Sequence, residues 1–348
     1  MRLTPTIAIT DAMLTTNVDE TPPAAYSAIA TYAEGDRASV MGGISSTTAT
    51  IYESRIDANL GNDPASSPDE WKLLGTAYKV WTAGSYDQGA IVADVTTHTL
   101  WECQVDGTTA GLTNAERWIK YGPTNRWAAL DDKSATQTVW QDRISYTIAV
   151  TGRVDTVGLV NVAGTSVNVT VHDATGEIEL YNEDFSLLSR AGVTNWYAWL
   201  FAPRRRARNI YITGLPRVSN PRITVTVTSN GPVAIGHCGV GWEYRPGYTE
   251  LGGRIGITDF SEKTRDAYGT YQYDTDRGFS DRGQFNVELR PSDIGWVKDL
   301  LTDQKGKPML IVGSELHKSA IYFGVAWDWE IQFNDPKPGN LSMTIEGL

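Results

Sequence analysis

From residue 131 onward the chain alternates apolar with polar side chains in short runs. These are "RISYTIAV" (143–150), "TVGLVNV" (156–162), "SVNVTVHD" (166–173), "EIELYN" (177–182), "NWYAWLFAP" (195–203), "RNIYITGL" (208–215), "RITVTVTS" (222–229) and "VAIGHCGVGWEY" (233–244). A period of two, rich in Val, Ile, Thr and Tyr and punctuated by Gly, Asn, Asp and Pro, predicts strands. Eight such runs at near-regular spacing predict an antiparallel β-sandwich, jelly-roll-like, over 123–244. Six more runs, from "RIGITDF" (254–260) to "NLSMTIEGL" (340–348), predict a β-rich C-terminal domain over 245–348. One segment there has a helical period. "PSDIGWVKDLLTDQKG" (291–306) repeats apolar residues at Ile294, Val297, Leu300 and Leu301, with Ser292 or Asp293 as cap and Gly306 as stop. Residues 1–25, rich in Thr, Ala and Pro, follow neither period and predict a docking arm, ordered only where it lies on something else.

Between arm and sandwich one small pattern occurs twice, over 26–75 and 76–122. Copy one opens with "YAEGDRASV" (Tyr32, Gly35, Val40) and copy two with "YDQGAIVAD" (Tyr86, Gly89, Val92). An aromatic-led strand follows, "IYESRI" with Tyr52 and "LWECQV" with Trp101. A Trp then stands four residues before a Gly: Trp71 before Gly75, Trp118 before Gly122. The whole fold is thus expected to be mainly β: two small tandem β modules, a sandwich, and a β-rich C-terminal domain with one helix. A unit of under about fifty residues is short of core, and one Trp or Tyr buries on the order of 150–250 Å². Two readings of these aromatics stay open. They are the mini-cores, or some remain exposed as flat platforms on which sugar rings stack.

Copy one, "YAEGDRASV…IYESRIDANLGNDPASSPDEWKLLG", resembles the small chitin-binding-type carbohydrate-binding modules attached to bacterial chitinases. Those run Tyr-x-x-Gly-(Asp)-x-Val, a loop, a Tyr-led strand, a Pro-containing loop and a closing Trp. Copy two lacks the Pro loop, and together the copies cover about a quarter of the chain. The resemblance implies polysaccharide contact through aromatics, with Tyr52 and Trp71 the first candidates and Trp101 and Trp118 the weaker pair. The same module is common in bacteriophage tail proteins. "ITDAMLTTNV" (9–18), "GPTNRWAALDD" (122–132) and "LGGRIGITDFSEKTRDAYGTYQYDTDRGFSDRGQFNVEL" (251–289) are similar to the opening, the junction and the C-terminal portion of a family of phage tail and baseplate proteins. The departures are the second module and Leu130, where an aromatic is commoner.

Charge narrows the partners. Thirty basic against 41 acidic residues give a net −11, which disfavours nonspecific nucleic-acid binding. "PRRRARN" (203–209) is the local exception, a solvated loop or a contact with an acidic subunit or surface. Cys103 and Cys238 fall in different expected domains, so neither a disulfide framework nor a zinc cluster is expected. No secretory h-region opens the chain and no apolar run is long enough to span a bilayer. Synthesis in a host cytoplasm and release by lysis, ending in a virion tail, fit a sugar-contacting protein without an export signal.

Catalytic motifs are scarce. No His spacing suits a metal, no Gly-x-Ser-x-Gly elbow is present, and "ELGGRIG" (250–256) lacks the following helix of a phosphate loop. Paired carboxylates remain. Asp274, Asp276 and Asp281 lie in "YDTDRGFSDRG", and Asp328 and Glu330 share a strand face in "WDWEIQF", whose Trp327 and Trp329 read as core. The sequence therefore points to a non-enzymatic structural component of a phage tail tip or baseplate without cofactor. It is expected in multiple copies per particle, with other tail proteins as partners and glycan contact to the host surface through the modules. The alternative is a secreted polysaccharide-binding protein or a non-catalytic arm of a carbohydrate-active enzyme.

Overall fold

A computed structural model describes the chain except residues 44–45, 190–192, 203–204, 266, 276 and 335, and the side chains of 263, 271–274 and 334. The fold is mainly β, 50% strand against 8% helix. Among the described residues no helix is long and apolar enough to cross a membrane.

The centre is a seven-stranded antiparallel sheet curled like a half-barrel. Two runs that read as separate strands, on either side of Asn230-Gly231-Pro232, form one strand of 20 residues, Arg222–Gly241. Its first half pairs with Ser166–His172 and its second half with Thr156–Ala163, while Thr138–Ala149 runs beside both. The register of Thr138–Ala149 against it shifts between Gln141 and Arg143, and Asp142 takes φ +61° there. A bulge of this kind bends and twists a strand, so the sheet folds over its own core. The two layers of the expected sandwich are halves of one sheet. The core is Val- and Ile-rich, with Ile144, Ile148, Val167, Val169, Val225 and Val227 all fully buried.

"NWYAWLFAP" departs from the expected strand. Trp196–Phe201 is a short α-helix, with Asn195 as its N-cap accepting from the Ala198 N–H at 2.8 Å. Five of its six residues are large and apolar, so period two is absent. Ala202, ahead of a proline, is extended and ends it.

In the C-terminal domain a second seven-stranded sheet runs in the order Arg2–Pro5, Met309–Val312, Ile321–Asn334, Lys337–Gly347, Phe279–Leu289 and Tyr248–Thr249, with Arg254–Asp259 also pairing Phe279–Leu289. The expected helix forms as a 3-10 turn at Pro291–Asp293 leading into Ile294–Asp303, and buries Val297 and Leu301 against this sheet. No side chain caps it, and Gly306 follows at φ +70°.

Residues 1–25 lie on the chain's own sheets. Arg2–Pro5 is the first strand of the C-terminal sheet, and Leu14–Thr16 pairs with Tyr146–Ile148 of the curled one. Met1, Leu3, Leu14 and Val18 sit in the two cores. Where the domains meet, Val160, Leu310 and Phe323 pack together. Beside them Glu243 is almost fully buried and binds Arg2 at 2.9 Å, Arg245, and the Tyr211 hydroxyl at 3.0 Å. Burial alone would raise the Glu243 carboxyl. The hydrogen bonds, Arg245 foremost, more than offset it and hold the pKa below the usual value.

The junction "TNRW" joins arm, module and curled sheet residue by residue. Asn125 exchanges two 2.9 Å bonds with the Val139 backbone as a strand neighbour would. Thr124 Oγ1 and Arg126 both reach Glu20. Trp127, buried, stacks on His98 at 4.1 Å between centroids.

Candidate functional site

The two modules repeat in atomic detail. Module one is a three-stranded sheet, Arg37–Met41, Thr48–Ser54 and Trp71–Tyr78. Module two is Ile91–Asp94, Thr99–Cys103 and Trp118–Pro123. Gly35 and Gly89 take φ +87° and +83°, which only glycine adopts cheaply. Their N–H groups donate to Ser54 O and Cys103 O at 2.9 and 2.8 Å. Tyr32 Oη accepts from the Ser27 N–H at 2.9 Å, and Tyr86 Oη from the Thr82 N–H at 3.0 Å. The Trp71 and Trp118 indoles donate to Asn62 O and Ala110 O, both at 2.9 Å. The duplication is thus of a hydrogen-bonding frame, and the repeated Tyr, Gly and Trp are its joints.

That frame decides which aromatics can meet a ligand. Trp71 and Trp118 are 2% and 1% exposed, so neither can be a platform. Trp71 is walled by Tyr26 and Tyr32, with centroids 5.9 and 5.0 Å away, and Trp118 by Tyr86 at 5.3 Å. Of the four expected contacts these two are corrected to core, for a plain reason. They close units with few other large apolar side chains, and the buried cluster of module two is Tyr86, Val92, Cys103 and Trp118. Tyr52 and Trp101 stay half-buried on their strands. Tyr52 pairs across to Leu73, itself exposed, which makes a small apolar strip.

The chain was silent about Tyr26 and Trp81, which precede the Tyr-x-x-Gly motif by six and five residues (26 to 32, 81 to 86). Both are half-buried beside the closing Trp cluster of their module. Extending the repeat alignment a few residues upstream would have found them. Trp81 and Trp101 pack on the same four-residue core of module two, and neither indole N–H has a partner in the chain. The Tyr26 hydroxyl is likewise unpartnered. These polar atoms are themselves buried, so a ligand would meet the rings and not the N–H groups. Two partly buried indoles on one small module leave ring surface open to a polyhydroxylated ring, which the buried Trp71 does not.

The carboxylates sort differently from the sequence pattern. Asp328 and Glu330 are exposed, and neither lines the cleft between the two large sheets. Trp327, expected in the core, is 71% exposed, because the register of its strand shifts between Ala326 and Asp328 and turns it outward. Trp329 packs on the C-terminal core as expected. Asp276 lies outside the described residues, as does the side chain of Asp274. Asp281 lines a cleft of about 580 Å³ between the two large sheets, with Arg208, Lys318 and Tyr322 around it. Desolvation raises its pKa, and Arg208 works against that. It is the one side-chain carboxylate among the described residues lining the cleft. Among the described residues no three His, Cys, Asp or Glu converge as metal ligands. Compared with known proteins, the chain matches no family model and no curated protein.

Proposed function

We propose that this chain is a non-enzymatic structural component of a phage tail tip or baseplate whose tandem modules touch glycan on the host surface. The observation carrying the glycan role is the pair Trp81 and Trp101, both only partly buried on the core of one small module. The tail role is supported by the sequence resemblance of 9–18, 122–132 and 251–289. An assembly surface supports it further: the strand Arg254–Asp259 exposes Ile255 and Ile257, apolar side chains of the sort another subunit covers.

A stacked ring contributes about 0.5–1.5 kcal/mol, so one module binds weakly and many copies on a particle supply the avidity. The test displays the protein multivalently on beads and measures retention on chitin and on host envelope. Trp81→Ala and Trp101→Ala should each lower retention several-fold while circular dichroism stays unchanged. Wild-type protein that retains no envelope fraction reduces the modules to scaffolding. Reducing ends released from chitin or peptidoglycan, and abolished by Asp281→Asn, would make the chain an enzyme instead.

A further inference from the structure

The Trp196–Phe201 helix has no buried residue. It stands at the end of a two-residue stem in which Leu188–Ser189 pairs with Arg205–Arg206. Trp196 is 73% exposed and Trp199 62%, and Tyr197, Leu200 and Phe201 are as open. Water around five large apolar side chains is unfavourable, and among the described residues none buries the helix. Among the described residues its rings pair with each other, Tyr197 on Phe201 at 4.8 Å and Trp196 on Tyr197 at 6.4 Å between centroids.

The shape of the patch selects its occupant. At about 100° per residue the five side chains sweep roughly 200° of the helix circumference. A helix docked in a protein groove needs an apolar stripe only about half as wide. A patch that wraps more than half the circumference suits a medium that closes round it. Trp and Tyr favour the boundary between headgroups and acyl chains, where the ring body is dry and the N–H or O–H is wet. Charge agrees. Arg205 and Arg206, both exposed, lie on the stem strand that follows the helix in sequence, Arg206 also lining the cleft between the large sheets, in a chain of net −11. Cations at that depth meet anionic headgroups, as at interfacial anchors.

We propose that the Trp196–Phe201 helix is a membrane-surface anchor, entering the interface of a lipid bilayer while Arg205 and Arg206 hold its anionic headgroups. The anchor goes beyond glycan contact and does not depend on it. A tail protein that touches sugar first would then have a second, deeper hold on the envelope.

The full chain is tested by flotation with vesicles of phosphatidylethanolamine, with and without phosphatidylglycerol. Wild type should float with the anionic vesicles and stay below with the neutral ones. The double variant Trp196→Ser/Trp199→Ser should stay below with both, its melting temperature unchanged because neither ring belongs to a core. Arg205→Gln/Arg206→Gln should bind roughly 25-fold more weakly, about fivefold for each arginine lost. Cys103 and Cys238 are both buried, so Ala198→Cys takes an environment-sensitive dye selectively. Its emission should shift to the blue on adding anionic vesicles. Wild type that ignores both vesicle types, or a double-Trp variant that floats as wild type does, overturns the proposal. So does self-association in lipid-free buffer that the double-Trp variant abolishes, since a second copy of the chain would then be what covers the helix.

Discussion

Gly75 shows how one residue can hold two domains in register. A Cβ built there would lie 2.7 Å from Cε3 of Trp140, a buried ring of the curled sheet, whereas one on its repeat partner Gly122 would meet nothing within 4 Å. Arg37 of module one covers the same Trp140 ring at 5.7 Å, and Lys72 pairs with Asp142 at 2.6 Å. Gly75→Ala should therefore cost about 1–3 kcal/mol by overpacking, and Gly122→Ala should stay within about 0.5 kcal/mol. Paired denaturant melts decide it. Equal losses would show that Gly75 serves its own module and not the contact. His237 gives a second residue-scale outcome. It is buried, stacked on Phe323 at 3.4 Å, with Nδ1 against Asp131 O and Nε2 unpartnered. Burial lowers its pKa from 6.5 to about 3. Unfolding then takes up a proton anywhere between those values, so stability falls as pH drops through 6.5 toward 3, by about 1.4 kcal/mol per unit at most. His237→Gln should flatten that slope in melts across the window, and an unchanged slope would place the acid sensitivity elsewhere.

Elements differ in how much core each commands. The curled sheet is closed by long strands over a continuous apolar interior, but module two rests on a buried cluster of four residues and one three-stranded sheet. Local opening follows the density of buried apolar contacts. In hydrogen exchange, peptides from 86–122 should reach full deuteration well before those from 138–172. Equal protection would mean that module two opens only with the whole molecule. The strand runs were readable because alternation is local, and the 291–306 helix because its period is. The merger of two runs across Asn230-Gly231-Pro232 was not. Those residues announce a turn, and only pairing along both halves with Thr138–Ala149 keeps the strand continuous. The arm was unreadable for a related reason. Short strands such as Arg2–Pro5 owe their form to partners more than 300 residues away, at Met309–Val312.

Across the whole molecule the N-terminal segment, the junction and the Glu243 cluster tie modules, curled sheet and C-terminal sheet into one connected body. The sequence by itself determined the β class, the duplication and the aromatic joints of the modules, since these depend on periods and spacings within a few tens of residues. It could not say which aromatics face water. Trp71 and Trp196 are the same residue type in similarly aromatic surroundings, yet one is walled in by Tyr26 and Tyr32 and the other is bare. Exposure is a property of what the rest of the chain brings alongside, and so only the tertiary structure decided it. The candidate contacts changed accordingly: Trp71 and Trp118 drop out, Tyr52 and Trp101 stay and Trp81 joins them, and a run that read as a strand became a helix with no buried residue.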